Sequence, residues 1–268
     1  MILSDTHTHS TFSPDGISSA AEMTLAARQS GLQCLYLTEH ADAYRNGGSP
    51  FIRYSEDRIF APREPMPEGI ELPLAIELGE MNEAPDFSRA LLERHPYDFV
   101  LGSLHHLPDR KGFLSSSYTG RAECEYLFDQ YLDQLIVNAA ETDYDSFAHI
   151  DYPLRYFYYN SGILVRLEDH LSKLEELLSI IAKRGKALEL NTATLRKGYP
   201  TLIGDALALF RSLGGEYLTI GSDAHMTDHL SCHFREAEET AVKAGFDHYT
   251  LYRKRQPRNI PFTAATID

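Results

Sequence analysis

Seven short apolar runs along this 268-residue chain each end in side chains that can bind a metal or carry charge, and that regularity constrains the fold more than any other feature. The runs are ILSDTHTH (2–9), QCLYLT (33–38), PLAIELGE (73–80), DFVLGSLH (98–105), SFAHI (146–150), KALELN (186–191) and EYLTIGSD (216–223). At or just past their ends stand Asp5, His7 and His9; Glu39 and His40; Glu80; His105 and His106; His149 and Asp151; Glu189 and Asn191; and Asp223 and His225. Amphipathic helical patterns lie between most of them, at 19–31, 122–141, 167–185 and 202–215. Three of these stop at Gly31, Gly185 and Gly214, as helices commonly do. Strand alternating with helix builds βαβ units around a parallel sheet. When such a sheet rolls into a barrel, the C-terminal strand ends converge on one face, where active sites sit. The expectation is an α/β protein, a distorted (β/α)7 TIM-like barrel spanning residues 1–268 as one domain, with its site at the C-terminal ends of the strands. An eighth strand is not evident, although HYTLYR (248–253) has the composition of a short one. The stretch 41–72, with Gly47, Gly48, Pro50, Pro62, Pro65 and Pro67, reads as a long βα loop over one face.

Residues i and i+2 of a strand point the same way, so His7 and His9 can chelate one ion. Mixed imidazole and carboxylate donors suit zinc, manganese or iron better than calcium. The candidate ligands exceed what one tetrahedral ion needs, so two to three divalent ions are expected. His95, His170, His229, His233 and His248 fall in helices or loops and read as ordinary hydrogen-bonded side chains.

Composition narrows the partners. A hydrophobic fraction of 43% is enough for one sizeable core. A formal charge of −14 repels phosphate backbones and disfavours general nucleic-acid binding. The one dense basic run, Arg253, Lys254, Arg255 and Arg258, reads as a solvated tail. No apolar run is long enough for a bilayer, and MILSDTHTHS lacks the regions of a signal peptide, so a cytoplasmic location without membrane contact is expected. Cys34, Cys124 and Cys232 are scattered, which suits a reducing compartment and offers neither a disulfide framework nor a CxxC site.

The ordered segments DTHTHSTFSPDG (5–16), TEHAD (38–42), ELGEMN (77–82), GSLHH (102–106), AHIDYP (148–153), ELNTATLRKG (189–198) and GSDAH (221–225) resemble those of the polymerase and histidinol phosphatase (PHP) family of metallohydrolases, across about residues 1–225. The GSLHH, HIDYP and ELNTATLRKG segments are most similar to its histidinol-phosphatase branch. The resemblance implies a seven-stranded distorted barrel that hydrolyses L-histidinol phosphate in histidine biosynthesis. It also implies a ligand set. His7, His9, Glu80 and Asp223 would hold a first ion. Glu80 would bridge to a second, bound by His105 and His149. Asp15, His40 and His225 would hold a third. Glu80, Asp223 and His225 would carry catalysis through these ions, and Asp5, with Glu39 as a further candidate, would orient ligands from behind.

A metal cluster lowers the pKa of a bridging water and neutralises phosphate charge, so in-line attack by a metal-bridging hydroxide is expected, with no covalent intermediate. Ser103 and Ser222 lack a free base and are poor nucleophile candidates. Arg155, Arg196 and Lys197 follow strand ends and are candidates to grip the phosphate of a small-molecule monoester. Asp42, Glu83 and Asp151 are candidates to meet a cationic substrate group. The rivals are another PHP phosphoesterase, nuclease or protein-tyrosine phosphatase, and a non-catalytic metal-binding module. An amidohydrolase is disfavoured because the fourth run ends in GSLHH, without lysine.

Overall fold

Parallel strands joined by outer helices place every strand's C-terminal end on one side, and the chain follows that rule through β1 (Ser4–Thr8), β2 (Cys34–Asn46), β4 (Leu74–Gly79), β5 (Phe99–Ser103), β6 (Ser146–Phe147), β7 (Ala187–Asn191) and β8 (Leu218–Gly221). The computed structural model describes residues 2–46, 49–52, 67–108 and 112–262, with 43–52 as backbone alone. The strands pair in the order β1-β2-β4-β5-β6-β7-β8, each junction parallel. A bridge between Thr8 and Ala224 closes the ring beyond the end of β8. There the amide of Asp223 donates to His7 O and that of His9 to Ala224 O, both at 2.8 Å. A short β3 (Ser49–Ile52) pairs antiparallel with the far end of β2. Of the long excursion expected over 41–72, Gly47, Gly48, Pro62 and Pro65 lie outside the described residues.

Strand alternation divides the apolar residues into two sets. Tyr36, Ala75, Phe99, Leu101, Ala148 and Ala187 form one cluster inside the ring. Ile76, Leu78, Val100, Leu188, Leu190, Leu218 and Ile220 face outward into the main core. The helices Arg121–Glu141, Leu171–Lys183 and Gly204–Ser212 cover them with Leu132, Leu135, Leu177, Leu178 and Phe210. Burying each leucine-sized side chain there contributes about 1.5–3 kcal/mol. The helix Ala20–Gln29 starts on a capping box, in which Ser19 Oγ accepts from the Glu22 amide and the Glu22 carboxylate accepts from Ser19 N. Three further helices, Pro85–Arg94, Tyr152–Ser161 and Phe234–Lys243, follow β4, β6 and β8. No helix among the described residues is long and apolar enough to cross a membrane.

The C-terminal segment departs from expectation. HYTLYR is a strand, β9 (His248–Arg253), but it joins no barrel strand. It forms an antiparallel hairpin with β10 (Gln256–Pro261). The hairpin closes the N-terminal end of the ring. Tyr252 enters the inner cluster and stacks on Phe99 with centroids 5.3 Å apart, and Tyr36 OH donates to Tyr252 O and accepts from Tyr252 N. The basic run is therefore not a solvated tail. Arg253 pairs with Glu71, and Arg255 pairs with Asp143 and Asp145 just ahead of β6. This lid also seals the barrel floor beneath the site. Tyr252→Ala is expected to cost about 3–5 kcal/mol, the range for large aromatic truncations in cores. Urea unfolding would read it as a lower midpoint, and a loss under 1 kcal/mol would show that the hairpin does not seal the barrel.

Candidate metal centre

The same alternation that lines the barrel floor with apolar groups lines its mouth with polar ones. On β2 the inner row runs Tyr36, Thr38, His40; on β4, Ala75, Glu77, Gly79; on β5, Phe99, Leu101, Ser103; on β7, Ala187, Glu189, Asn191. With period 2 along each strand, the upper members of each row converge. Glu77 is wholly buried at their centre. Its Oε1 lies 3.0 Å from His149 Nε2 and 3.2 Å from His105 Nε2. Its Oε2 lies 2.8 Å from His40 Nδ1, 3.4 Å from His7 Nε2 and 3.5 Å from His9 Nε2. The Nε2 atoms of His7 and His9 face each other at 3.0 Å, and Asp223 Oδ1 stands 3.7 and 3.6 Å from them. Farther out, Asp15 reaches His40 Nε2 at 3.5 Å and His225 Nε2 at 3.2 Å.

These atoms fit divalent cations better than they fit one another. Glu77 Oε2 has three imidazole nitrogens within 3.5 Å, yet it is buried without a hydrogen bond, as are His40 Nδ1, Asp42 Oδ1 and His105 Nδ1. Buried polar atoms are rarely left so, and here they point at shared centres. Four overlapping groups bring their ligand atoms within 4.8 Å of one another: His7, His9 and Asp223; His7, Glu77 and His149; His9, His40 and His225; and His40, Asp42 and His105. Imidazole and carboxylate donors in this proportion suit zinc, manganese or iron.

The electrostatics follow from packing imidazoles around acids in a dry mouth. Burial alone would raise the Glu77 carboxyl, but His105, His7 and His40 hold it well below its ordinary range. Asp223 is held down in the same way by His7, Arg155 and His225 against the effect of burial. Burial would lower His7, but Glu189, Glu77 and Asp223 raise it well above the usual imidazole value. Burial and the neighbouring imidazoles of His40 and His225 push His9 well below. Asp5 sits behind the cluster, pushed up to about 6 by burial although Ser222 Oγ and the amides of Ser222, Ser231 and His7 all donate to it.

Several side chains take positions other than those expected. Glu80 does not stand among the histidines. It follows the strand in a left-handed conformation (φ 50°), and its Oε1 accepts from the amides of His105 and His106 at 2.6 and 2.9 Å. It is one residue out of phase with the inner row, so the carboxylate at the centre is Glu77. That phase was readable, since Glu77 lies two residues after Ala75 and before a glycine. A Cβ on Gly79 would come within 2.3 Å of Asp42 Oδ1, so the glycine admits Asp42 to the centre. Asp42 is correspondingly buried, 3.3 Å from His105 Nδ1, and does not stand outward to meet a substrate. Arg155 is only 2% exposed, with Nη2 donating to Asp223 Oδ2 at 2.9 Å and Nη1 to Asn191 Oδ1 at 3.3 Å. Arg196 donates to the carbonyls of Ser222 and Asp223, bracing the loop that carries Asp223. Lys197 lies over the Tyr159 and Tyr156 rings at 5.0 and 5.8 Å. Glu39 accepts from Ser10 Oγ and Ser13 Oγ, both at 2.6 Å, and Ser13 Oγ stands 3.2 Å from His9 Nδ1.

A parallel barrel with imidazoles and carboxylates gathered around one buried glutamate defines a protein built to hold several divalent ions at its mouth. The chain belongs to the PHP family, for residues 5–193 match the PHP domain. It is 29% identical over 258 residues to a histidinol-phosphatase of Lactococcus lactis subsp. lactis, with 92% of this chain and 93% of that protein aligned. It is 28% identical over 241 residues to a Clostridium acetobutylicum protein named "Probable histidinol-phosphatase", covering 88% of this chain and 92% of that one. The crystal structure of histidinol phosphate phosphatase from Lactococcus lactis subsp. lactis, complexed with Zn, L-histidinol and phosphate, superposes with a TM-score of 0.75 over 96% of this chain and 98% of that one. At 23% identity this superposition bears on the fold, and it agrees with the barrel described above.

Two outcomes follow. Glu77→Gln is expected to lower bound metal and turnover by orders of magnitude, and Glu80→Gln to lower them less; metal analysis and kinetics showing the reverse ranking would return the central role to Glu80. His7, His40 and His105 hold protons above the usual imidazole range, so an incoming cation displaces them. Zinc affinity should therefore rise with pH, with proton release seen by calorimetry in buffers of different ionisation enthalpy. A pH-independent affinity would contradict this picture.

Proposed function

We propose that this protein is a phosphomonoesterase that uses two to three divalent ions to hydrolyse L-histidinol phosphate to L-histidinol and phosphate. The observation that carries the reading is the set of five imidazoles arrayed on the buried Glu77 carboxylate, at distances of 2.8 to 3.5 Å. Kinship with proteins named histidinol-phosphatase over most of the chain supplies the substrate.

His7, His9, Glu77 and Asp223 would hold one ion; Glu77, His105 and His149 a second; and Asp15, His40 and His225 a third. When bound, the ions supply a water acidic enough to attack at neutral pH and offset the charge of the phosphate. The protein's own groups do the rest. Glu77 faces two of the positions with one oxygen each and fixes their spacing. Arg155, itself buried, holds Asp223 and Asn191 in place through its two donors. Arg196 keeps the Ser222–Asp223 backbone from shifting as charge develops. Lys197, on the segment after β7, has no ion pair among the described residues and offers its ammonium to an anionic group at the mouth. Asp151 is committed to Thr194 Oγ1 at 2.7 Å and to the wall of the site.

The test is phosphate release from histidinol phosphate, a dinucleotide and a phosphotyrosine peptide under identical conditions. Turnover is expected on histidinol phosphate, abolished by chelation and restored by zinc or manganese. A preference for either other substrate would overturn the assignment. A charge-assisted contact is worth about 1.5–3 kcal/mol, so Arg155→Ala should lose roughly 10- to 150-fold in kcat/KM. Unchanged kinetics in that variant would remove Arg155 from the reaction.

A further inference from the structure

Glu189 belongs to no expected ligand set, yet it is wholly buried and touches two histidines from opposite parts of the ring. Its Oε1 lies 2.7 Å from His7 Nδ1. Its Oε2 accepts from the backbone amide of His149 at 2.9 Å and from Asn191 Nδ2 at 3.1 Å. His149 sits at φ 20°, a backbone setting that a non-glycine residue keeps only when its surroundings hold it. The contact with His7 exists because the neighbouring strand carries Gly221. A Cβ there would come within 2.6 Å of Glu189 Oε1 and 2.3 Å of His7 Cβ.

A carboxylate on one imidazole nitrogen fixes the proton there and leaves the other nitrogen's lone pair free for a cation. Glu189 on Nδ1 thus directs His7 Nε2 towards His9, Glu77 and Asp223. The same carboxylate, through the His149 amide, sets the ring whose Nε2 stands 3.0 Å from Glu77 Oε1. His7 and His149 serve different ions in the reading above, on which this inference rests. We infer that Glu189 is a positioning residue that couples the first two metal positions, because its single carboxylate, bridging His7 Nδ1 and the His149 amide, orders a ligand of each at once. An ion at one position that straightens Glu189 thereby prepares the other, and the two fill together.

Glutamine at 189 keeps the shape but presents an amide. With its oxygen kept on the His149 amide, its nitrogen donates to His7 Nδ1 and forces the proton to Nε2, the atom that must face the cation. The experiment is zinc titration of the chelated wild-type, Glu189→Gln and Glu189→Asp proteins against a chromophoric competitor. The wild type should take up its first two ions in one steep step. Glu189→Gln should bind roughly 10- to 100-fold more weakly, the usual effect of losing such a partner, and in separate steps, with Glu189→Asp between. Wild-type affinity and steepness in Glu189→Gln would overturn the coupling, and so would weakening of one ion alone. Nitrogen NMR of the wild-type imidazoles supplies a reading independent of any variant. In the metal-free protein at a pH high enough to make the ring neutral, His7 should carry its one remaining proton on Nδ1, and that proton on Nε2 instead would overturn the inference even if the glutamine variant failed to fold. None of these readings involves a substrate, so failure of the histidinol phosphate assignment would leave them intact.

Discussion

The buried carboxylate of Glu77 is the constraint on which the rest of the mouth depends. An ionised group taken out of water costs several kcal/mol unless charge and hydrogen bonds answer it. Here the answer is five imidazole rings brought from β1 and its end, β2 and the segments after β5 and β6. No local segment could supply them. They meet only because a parallel barrel sends its strand ends to one face, so the fold and the charge balance at Glu77 are one arrangement.

Around that centre, acids that never face the cluster hold its ligands in place. Asp5 gathers the amides of His7, Ser222 and Ser231; Glu39 gathers Ser10 and Ser13; Glu80 gathers the amides of His105 and His106. Each fixes backbone or hydroxyl groups next to a ligand, so the rings have little freedom left to lose when cations arrive. Left-handed backbone at Glu80, His149 and Asp223 marks three of the strand ends around the cluster. Such strain persists only where surrounding bonds over-determine it, and the carboxylate network and Arg196 provide those bonds.

The barrel and its loaded strand ends were legible because both follow from periodicity. Apolar runs bounded by helical patterns give the strands, and metal-capable residues at their ends give the face. The placing of single residues was less legible where the chain leaves the regular strand. Glu77 and Glu80 both occur in ELGEMN, and the last acid was favoured although strand phase selects the first. The burial of Arg155 and Asp42 was hidden for a different reason. Both follow the ends of apolar runs in the sequence, where loops usually face solvent, but Asp42 lies within β2 opposite Gly79, which lets it inward, and Asp223 draws Arg155 inward. The hairpin at the floor escaped because its partner strand, QPRNIP, has two prolines and little β-forming composition. It is exposed except at Ile260, so pairing with β9 defines it more than burial does.

The central claim is that Glu77 joins two cations at the barrel mouth, and anomalous diffraction at a metal absorption edge from crystals of the purified protein tests it most directly. The account predicts at least two peaks flanking Glu77, one beside His7, His9 and Asp223 and one beside His105 and His149. A single peak with no contact to Glu77, or peaks centred on Glu80, would contradict it.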